Sequence, residues 1–354
     1  MQKKIIALAI AAAFAAPVAM AETANVNVYG SIDAGLRSDT SPGITSNQFG
    51  SGTYNSNRWG IKSSEDLGDG MKANFGLEGG FNTGTGASGA TLFDRNATVG
   101  VSGDFGKVDL GRQYSVAFKT IGDYDPFGYK YISIAYAAAA AQVVRFDNDI
   151  SYTGQFGAVK VMAEHNMGTS GYDAATTNAV GVSYAAAGFN VGGAYSATKA
   201  PVSAAGLPST IPSATNGEVK YFTLGAGYNF GDGKVSVGYS KKATSGDSFT
   251  VLGTTYAVSD AEDKFIWLGG SYNVTSKVGV TAAIYKRTQT PVGVPSLAPI
   301  YDANSTRMMV GATYSLSKRT NFYAELDKTT TSSTAPASSD VDFSGYSLGL
   351  ATTF

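Results

Sequence analysis

Strict alternation of apolar and polar side chains is the feature that most constrains the fold of this chain. In its last segment, Tyr346, Leu348 and Leu350 fall on one face, and Ser347 and Gly349 fall on the other. A period of two residues is typical of a β-strand whose two faces meet different surroundings. Segments of this kind, each of about ten residues, recur along the chain. The sequence therefore predicts an all-β protein.

The connections between these segments are alternately very short and long. Most of the short ones contain Gly or Asp, which supply the positive φ angles that two- and three-residue hairpins need. The long ones are rich in Ser, Thr, Gly, Ala, Asn and Pro. Seven short turns and eight long connections require sixteen strands. The short turns are 67–70, 103–106, 154–157, 186–188, 231–233, 275–277 and 317–319; the long connections are 39–55, 83–91, 115–142, 169–177, 200–217, 245–262, 291–304 and 331–342.

The composition excludes several classes of function. The chain has no Cys and a single His, His165, so it cannot form a thiolate metal site, a disulfide framework or a cysteine nucleophile. No GxSxG-type context surrounds His165, which argues against a serine triad. A formal net charge of −1 argues against nucleic acid as a partner. We therefore predict a protein that is not an enzyme and that has no metal site, no cofactor and no nucleic-acid partner.

Residues 1–21 have the layout of a secretory signal peptide. Lys3 and Lys4 form a positive start, residues 5–16 are apolar, and Ala19-Met20-Ala21 is a small-x-small cleavage site. The alternative, a membrane anchor, is disfavoured because about 20 apolar residues are needed to span a bilayer. Cleavage would leave a single domain, 22–354. It would remove two lysines and no acid, and so change the net charge from −1 to −3.

Alternation alone is compatible with two kinds of fold. A soluble sandwich or propeller turns its apolar face inward, whereas a membrane barrel turns that face to lipid and lines its lumen with polar residues. Three features favour the membrane barrel. Short turns alternate regularly with long loops, aromatic residues lie near the strand ends, and the last residue, Phe354, is aromatic. Sixteen strands also enclose a water-filled channel. The strand-end aromatics include Tyr29, Tyr152, Tyr228, Phe230, Tyr239, Tyr272 and Tyr314.

Five segments carry a family resemblance. They are VNVYGSIDAGL (26–36), NRWGIKSSEDLGDGMKANFGLEGGFN (57–82), FDRNATVGVSGDFGKVDLGRQYS (93–115), VVRFDNDISYTG (143–154) and YSLGLATTF (346–354). In this order they resemble the strands of Gram-negative general diffusion porins, closest to the beta-proteobacterial, neisserial-type branch. The resemblance covers the mature chain from end to end.

The resemblance implies a homotrimer of sixteen-stranded antiparallel transmembrane β-barrels in the outer membrane. Each barrel would have short periplasmic turns, long extracellular loops and a third long loop, 115–142, folded inward as a constriction. The terminal strand, which ends at Phe354, would be recognised by the barrel-assembly machinery. The other implied partners are outer-membrane lipid, lipopolysaccharide, and the ions and small solutes that pass through.

Strand parity predicts which charges line the lumen. Val28, Ile32 and Leu36 alternate with Asp33 and Arg37, so an outward apolar face places these two charges inside. The same argument places Arg95 and Arg112 on the outer face. It predicts a basic wall of Arg37, Arg58, Lys62 and Arg145, and further lumen charges at Asp33, Asp147, Asp149, Lys160 and Glu164.

The third long loop carries Asp123 and Asp125, followed by Pro126 and Phe127, which resembles the acidic stretch of the family's constriction loop. We expect the two carboxylates to face the basic wall across the pore. Charges around a narrow, low-dielectric channel create a field that sorts ions. The competing interpretation is that the lumen charges are solvated or paired with one another and influence flux little.

The predicted function is passive diffusion of ions and small hydrophilic solutes across the outer membrane, with a mild anion preference. The alternative is a channel selective for sugars or organic acids, for which Tyr221, Trp267 and Tyr285 are candidate inward aromatics. A third hypothesis is an adhesive or enzymatic barrel; the single His disfavours the enzymatic form, while the long polar loops leave surface binding open.

Overall fold

The computed structural model describes residues 26–133, 140, 143–168, 175–202, 214–245, 248–251, 254–257, 259–291, 301–336 and 338–354. The predicted signal peptide, 1–21, lies outside the described residues, and so do parts of the last six long connections. The strands are β1 (Asn27–Ser41), β2 (Ile44–Ser51), β3 (Arg58–Gly68), β4 (Met71–Gly80), β5 (Asn96–Gly103), β6 (Gly106–Tyr114), β7 (Arg145–Phe156), β8 (Val159–Asn166), β9 (Thr176–Ala186), β10 (Phe189–Val202), β11 (Ala214–Phe230), β12 (Gly233–Thr244), β13 (Ser248–Val251), β14 (Thr254–Ala257), β15 (Ala261–Asn273), β16 (Val278–Thr290), β17 (Ala303–Ser315), β18 (Thr320–Ser333) and β19 (Val341–Thr353).

Sixteen of these strands form one closed antiparallel barrel, as predicted. They are β1, β3 to β12 and β15 to β19; each pairs with its neighbours, and β1 pairs with both β3 and β19. The last residue completes the closure, because Phe354 and Gly30 exchange two backbone hydrogen bonds of 3.1 and 3.2 Å. Closure leaves no open sheet edge, which hydrocarbon would penalise at several kcal/mol for each unpaired backbone group.

Two predicted loops contain strands of their own, which corrects the prediction. Within 39–55, β2 folds back through a turn at Gly43, which has a φ of +78°, and pairs with residues 34–41 of β1. Within 245–262, β13 and β14 form a separate hairpin. Periodicity missed β2 because its sequence, ITSNQFGS, is largely polar on both faces.

The seven short turns, the start of β1 and the last residue, Phe354, lie at one end of the barrel, and the eight long connections join the strands at the other end. The turn between β3 and β4 shows why Gly and Asp are used: Gly68, Asp69 and Gly70 have φ angles of +82°, +50° and +75°. Ala187 and Gly188 take positive φ in the same way between β9 and β10. The predicted periplasmic and extracellular ends are therefore distinct in the structure.

The outer face of the barrel is apolar and uncovered. Leu36, Val99, Val180, Leu326 and Leu348 are each about half exposed or more. Soluble monomers rarely expose a contiguous apolar patch larger than a few hundred Å². The inner face carries the polar and charged side chains, so the apolar outer surface is the face that meets lipid.

The third long connection enters the barrel, as the family resemblance implies. It begins with a short helix, α1 (Val116–Gly122), capped by the Ser115 hydroxyl, which accepts a hydrogen bond of 3.2 Å from the Phe118 N–H. The helix lies against the inner faces of β8 to β11. Its continuation packs Tyr124, Phe127 and Tyr131 into the core, which therefore lies inside the barrel, between loop and wall.

Among the described residues, no helix is long and apolar enough to cross a membrane.

We expect an arginine at the lipid-facing Leu326, midway along β18, to lower the unfolding free energy by about 2–4 kcal/mol. That is the cost of arginine at the bilayer midplane on a barrel's lipid face. The measurement is the urea midpoint of Leu326→Arg in lipid vesicles, with Leu326→Phe as the apolar control. An arginine variant as stable as the control would show that this face does not meet hydrocarbon.

Candidate functional site

Asp125 fastens the third loop to the barrel wall. Its carboxylate is only 2% exposed and accepts hydrogen bonds from the Tyr285 hydroxyl at 2.5 Å and the Tyr129 N–H at 2.8 Å. Burial raises the pKa of Asp125, and these hydrogen bonds offset the rise only in part. The residue therefore ties the loop to β16 and does not face the pore, contrary to prediction.

Glycines on the inner wall make room for the loop. A Cβ added at Gly225 would collide with the Tyr124 ring, and one at Gly269 would lie 2.7 Å from Pro126. The Trp267 Nε1–H donates a 2.9 Å hydrogen bond to the Tyr124 carbonyl. The small residues beneath the loop and the hydrogen bond from the wall residue Trp267 hold it flat against this side of the barrel.

An open cavity of about 650 Å³ remains on the other side of the loop. One wall is formed by β1, β3, β4 and β6, and the other by α1 and residues 128–130. Its charged lining side chains are the cations Arg58, Arg95, Lys119 and Lys130 and one carboxylate, Glu78. The water-filled part of the lumen is therefore predominantly cationic beside the loop.

The arginines on the barrel wall are held by Glu78 and Tyr114. The nearest Glu78 oxygens lie 2.6 Å from Arg95 Nε and 3.7 Å from Arg58 Nε. The Tyr114 hydroxyl accepts hydrogen bonds from Arg95 at 3.1 Å and Arg145 at 2.7 Å. The Arg145 guanidinium also lies 4.2 Å from the centre of the Tyr114 ring, an attractive cation–π contact. One carboxylate among three arginines leaves a net positive wall.

The loop side of the cavity is cationic as well. Burial and the nearby Arg58 lower the pKa of Lys130 to about 8, and burial lowers the pKa of Lys119. The Lys130 ammonium lies 5.2 Å from the centre of the Tyr54 ring. Because its pKa lies above 7, Lys130 is mostly charged at neutral pH.

The predicted basic wall is therefore only partly assembled. Arg58 lines the cavity, and Lys62 lies 5.2 Å over the ring of Tyr29, a cavity residue. Arg37 points inward but is 7% exposed and is ion-paired with Asp39, Glu325 and Asp327 at 2.6–2.8 Å. Those carboxylates neutralise it, as the competing interpretation expected.

Asp123 also differs from its predicted position. Its carboxylate pairs with Lys160 at 2.8 Å, and its carbonyl accepts a hydrogen bond of 2.8 Å from Lys234. Both lysines belong to the wall on which the loop lies. The acidic residues of the loop are thus turned away from Arg58 and Arg95, because the loop uses them to bind the opposite wall.

Three other predicted lumen charges point inward, and two of them, Asp33 and Glu164, support loops. Asp33 is fully buried and accepts hydrogen bonds from the N–H groups of Tyr54 and Asn55 at 2.7 and 2.6 Å. Glu164 accepts one of 2.7 Å from the Val116 N–H at the start of α1. Asp149 is buried on the inner face of β7.

Asp147 departs from parity because β7 contains a bulge. Asn148 has a φ of +52°, and the pairing of β6 with β7 shifts between Gly111 and Gln113. Asp147 pairs at 2.6 Å with Arg112, the residue that parity places on the outer face. It therefore does not join the predicted inner charges.

Parity missed three of the four cations that line the cavity. Arg95 precedes β5, while Lys119 and Lys130 lie in the third loop. Parity placed Arg95 on the outer face, which is wrong because alternation defines no face outside a strand, and it assigned no position to Lys119 or Lys130. The only available signal was that the loop segment 115–133 contains as many lysines as aspartates.

Comparisons with known proteins agree with this architecture. A family model described as Gram-negative porin matches residues 7–334. An outer membrane porin protein of Bordetella pertussis is 32% identical over 364 residues, covering 92% of this chain and 93% of that protein. The chain belongs to the Gram-negative porin family. It is a passive diffusion channel of the outer membrane.

Further relatives fit the same family. Outer membrane porin protein 32 of Delftia acidovorans is 29% identical to this porin, covering 92% of this chain and 89% of that protein. A solved structure named as an anion-selective porin from Comamonas acidovorans superimposes with a TM-score of 0.73 and 22% identity, covering 94% of this chain and all of that one. That likeness supports the barrel fold.

The alternative of a sugar- or acid-selective channel is not favoured. Its candidate aromatics, Tyr221, Trp267 and Tyr285, do point inward, but all three are buried in the core with the loop. They present no aromatic track to solutes in the water-filled part of this porin.

We expect Gly225→Ala to displace Tyr124 and unseat the loop, because the added methyl group would occupy the position of the ring. Single-channel conductance should rise, and trypsin should cut at loop lysines that resist it in the parent. Gly279→Ala is the control, since its Cβ would lie 3.2 Å from the nearest side-chain atom. Equal conductance and equal resistance to trypsin in both variants would contradict the role of Gly225 in seating the loop.

Proposed function

We propose that this porin passes small anions in preference to cations. The observation that carries the proposal is the lining of the cavity beside the loop, where four cations face one carboxylate. The net charge of the chain is −1, but only charges within about 10 Å act strongly on a permeating ion at ordinary ionic strength. The excess of positive charge around the cavity therefore has more influence on a permeating ion than the net charge of the whole chain. The name of the Comamonas structure, an anion-selective porin, is in line with the same preference here.

Arg58, Arg95, Lys130 and Lys62 have distinct roles in this proposal. Arg58 and Arg95 attract the ion from the barrel wall, and Lys130 attracts it from the loop. Glu78 and Tyr114 hold the arginines in place by the contacts described above. Lys62 extends the positive wall toward the periplasmic end.

We infer that the porin works as a homotrimer after removal of residues 1–21. One supporting relative in fold is a trimer form of OmpT from Vibrio cholerae, with a TM-score of 0.68 and 17% identity. We further propose that the barrel-assembly machinery recognises the terminal strand through Phe354, which is half exposed.

Lipopolysaccharide is the proposed partner of the extracellular rim. Lysines occur near the long-loop ends of six strands, in line with their outward apolar residues. Such a row matches the phosphates of an outer-leaflet lipid, with which lysines form charge-assisted hydrogen bonds. The residues are Lys199, Lys220, Lys241, Lys264, Lys286 and Lys328.

We propose that transport is the only activity of the protein. His165, its single imidazole, lies on the exposed face of β8, where its Nδ1 is 2.9 Å from the Asn178 side-chain oxygen. That is a cross-strand surface contact without a nucleophile beside it.

Removing one cavity cation should reduce the anion preference. For Arg58→Gln, Arg95→Gln and Lys130→Gln we expect the anion-to-cation permeability ratio to fall about two- to fivefold each, because a unit charge about 4 Å away contributes about 1 kcal/mol in water. Reversal potentials in a salt gradient measure the ratio. Lys328→Gln, which removes a charge outside the lumen, is the control. If the parent channel prefers cations, the proposal is wrong.

Anion preference should also depend on pH through Lys130. Its pKa of about 8 means that the ammonium is mostly charged at pH 7 and mostly neutral at pH 9, so the permeability ratio should fall as the pH rises through 8. In Lys130→Gln this step should be absent. A step of the same size in that variant would assign the titration to another group.

A further inference from the structure

A shallow apolar groove of about 630 Å³ crosses the lipid-facing surface of the barrel. Its floor is made of the small residues Ala34, Ala312 and Ala324. Phe322 and Leu348, each about half exposed, flank the floor. The groove spans β16 to β19 and β1, and Val278 and Tyr314 place one of its ends beside the short turns.

Three cations stand at that end. Lys277 belongs to the short turn between β15 and β16, and Lys318 and Arg319 belong to the next short turn, between β17 and β18. The turns are neighbours, because the Ser315 N–H donates a 2.8 Å hydrogen bond to the Lys277 carbonyl. The Arg319 carbonyl accepts one of 3.0 Å from Thr353, on the terminal strand that borders the groove.

The charge at this place differs from the rest of the periplasmic end. Three of the other short turns carry an aspartate, at Asp69, Asp104 and Asp232, and none of the other turns carries a lysine or an arginine. Lys277, Lys318 and Arg319 are exposed, and in the described part of the chain no carboxylate forms an ion pair with them. Among the seven short turns, an unneutralised basic cluster therefore lies only where the apolar groove begins.

We propose that this groove and its three cations bind an anionic phospholipid of the periplasmic leaflet. The phosphate would accept hydrogen bonds from Lys277, Lys318 and Arg319, since arginine and lysine are the usual phosphate partners and basic clusters at the membrane surface attract anionic lipids. One acyl chain would lie along the alanine floor, between Phe322 and Leu348. The apolar groove faces the hydrocarbon and the three cations lie at the boundary with water, so the polarity of the site matches that of a phospholipid.

The test compares lipid retention by the folded porin in mild detergent, with native mass spectrometry as the readout. The protein is incubated with phosphatidylglycerol or with phosphatidylethanolamine of the same chain length. We expect the parent to retain phosphatidylglycerol, and the triple variant K277Q/K318Q/R319Q to retain at least about tenfold less. Heat-modifiable migration and unchanged conductance verify that the variants are folded.

Two further variants distinguish binding of the acyl chain in the groove from binding of the headgroup at the cations, and phosphatidylglycerol from lipopolysaccharide as the source of phosphate. Ala324→Phe fills the groove without changing charge and should also lose phosphatidylglycerol. The variant K220Q/K241Q/K328Q removes three lysines from the outer face at the opposite rim and should retain it. Loss of co-purified lipopolysaccharide should occur only in the rim variant.

Several outcomes would overturn the proposal. Equal retention of phosphatidylglycerol by the parent and the triple variant would mean that the cations bind no headgroup. Retention of phosphatidylethanolamine as strong as that of phosphatidylglycerol would mean that the site does not select anionic lipid. A change of oligomeric state in Ala324→Phe with lipid retention unchanged would make the groove a contact between copies of the chain.

Discussion

Every other feature of this porin depends on the need to satisfy its backbone hydrogen bonds inside a bilayer. Hydrocarbon offers no partner for a free N–H or C=O, so sixteen strands close into a ring and the pairing of β1 with β19 completes it. Closure separates two surfaces. Apolar residues such as Leu326 face lipid, and charged residues such as Asp33 point into the lumen. The chemistry of transport is therefore decided on the inner surface alone.

The third loop divides that inner surface into a closed half and an open half. The hydrogen bond between Asp125 and Tyr285 holds the loop on one wall, and Asp123 forms an ion pair with Lys160 on the same wall. The carboxylates of the loop are thus bonded to the wall on the closed side, whereas Lys130 lies on the open side, near Arg58. Fastening and selectivity are linked, since the bonds that hold the loop also remove negative charge from the channel.

The sequence was sufficient to predict the barrel, but it predicted the residues that line the cavity beside the loop only in part. Alternation holds wherever a strand is regular, so it correctly placed Arg58 and Glu164 on the inner face. It failed at Asp147, where a bulge changes the parity, and at Arg95, which it placed on the outer face although the residue precedes β5. It assigned no position to Lys130, which lies in the third loop. Loop positions depend on contacts between residues far apart in the chain, such as Asp125 with Tyr285, and local pattern does not encode them.

The most direct test of this account is the rate at which an anionic, membrane-impermeant thiol reagent modifies single cysteines. The natural chain has no cysteine, so each introduced thiol reports alone. We predict fast modification at Ser56→Cys, which lies in the open half, and slow modification at Met309→Cys, which lies on the inner wall beneath the loop. Equal rates at the two positions would contradict a lumen that is closed on one side and open on the other.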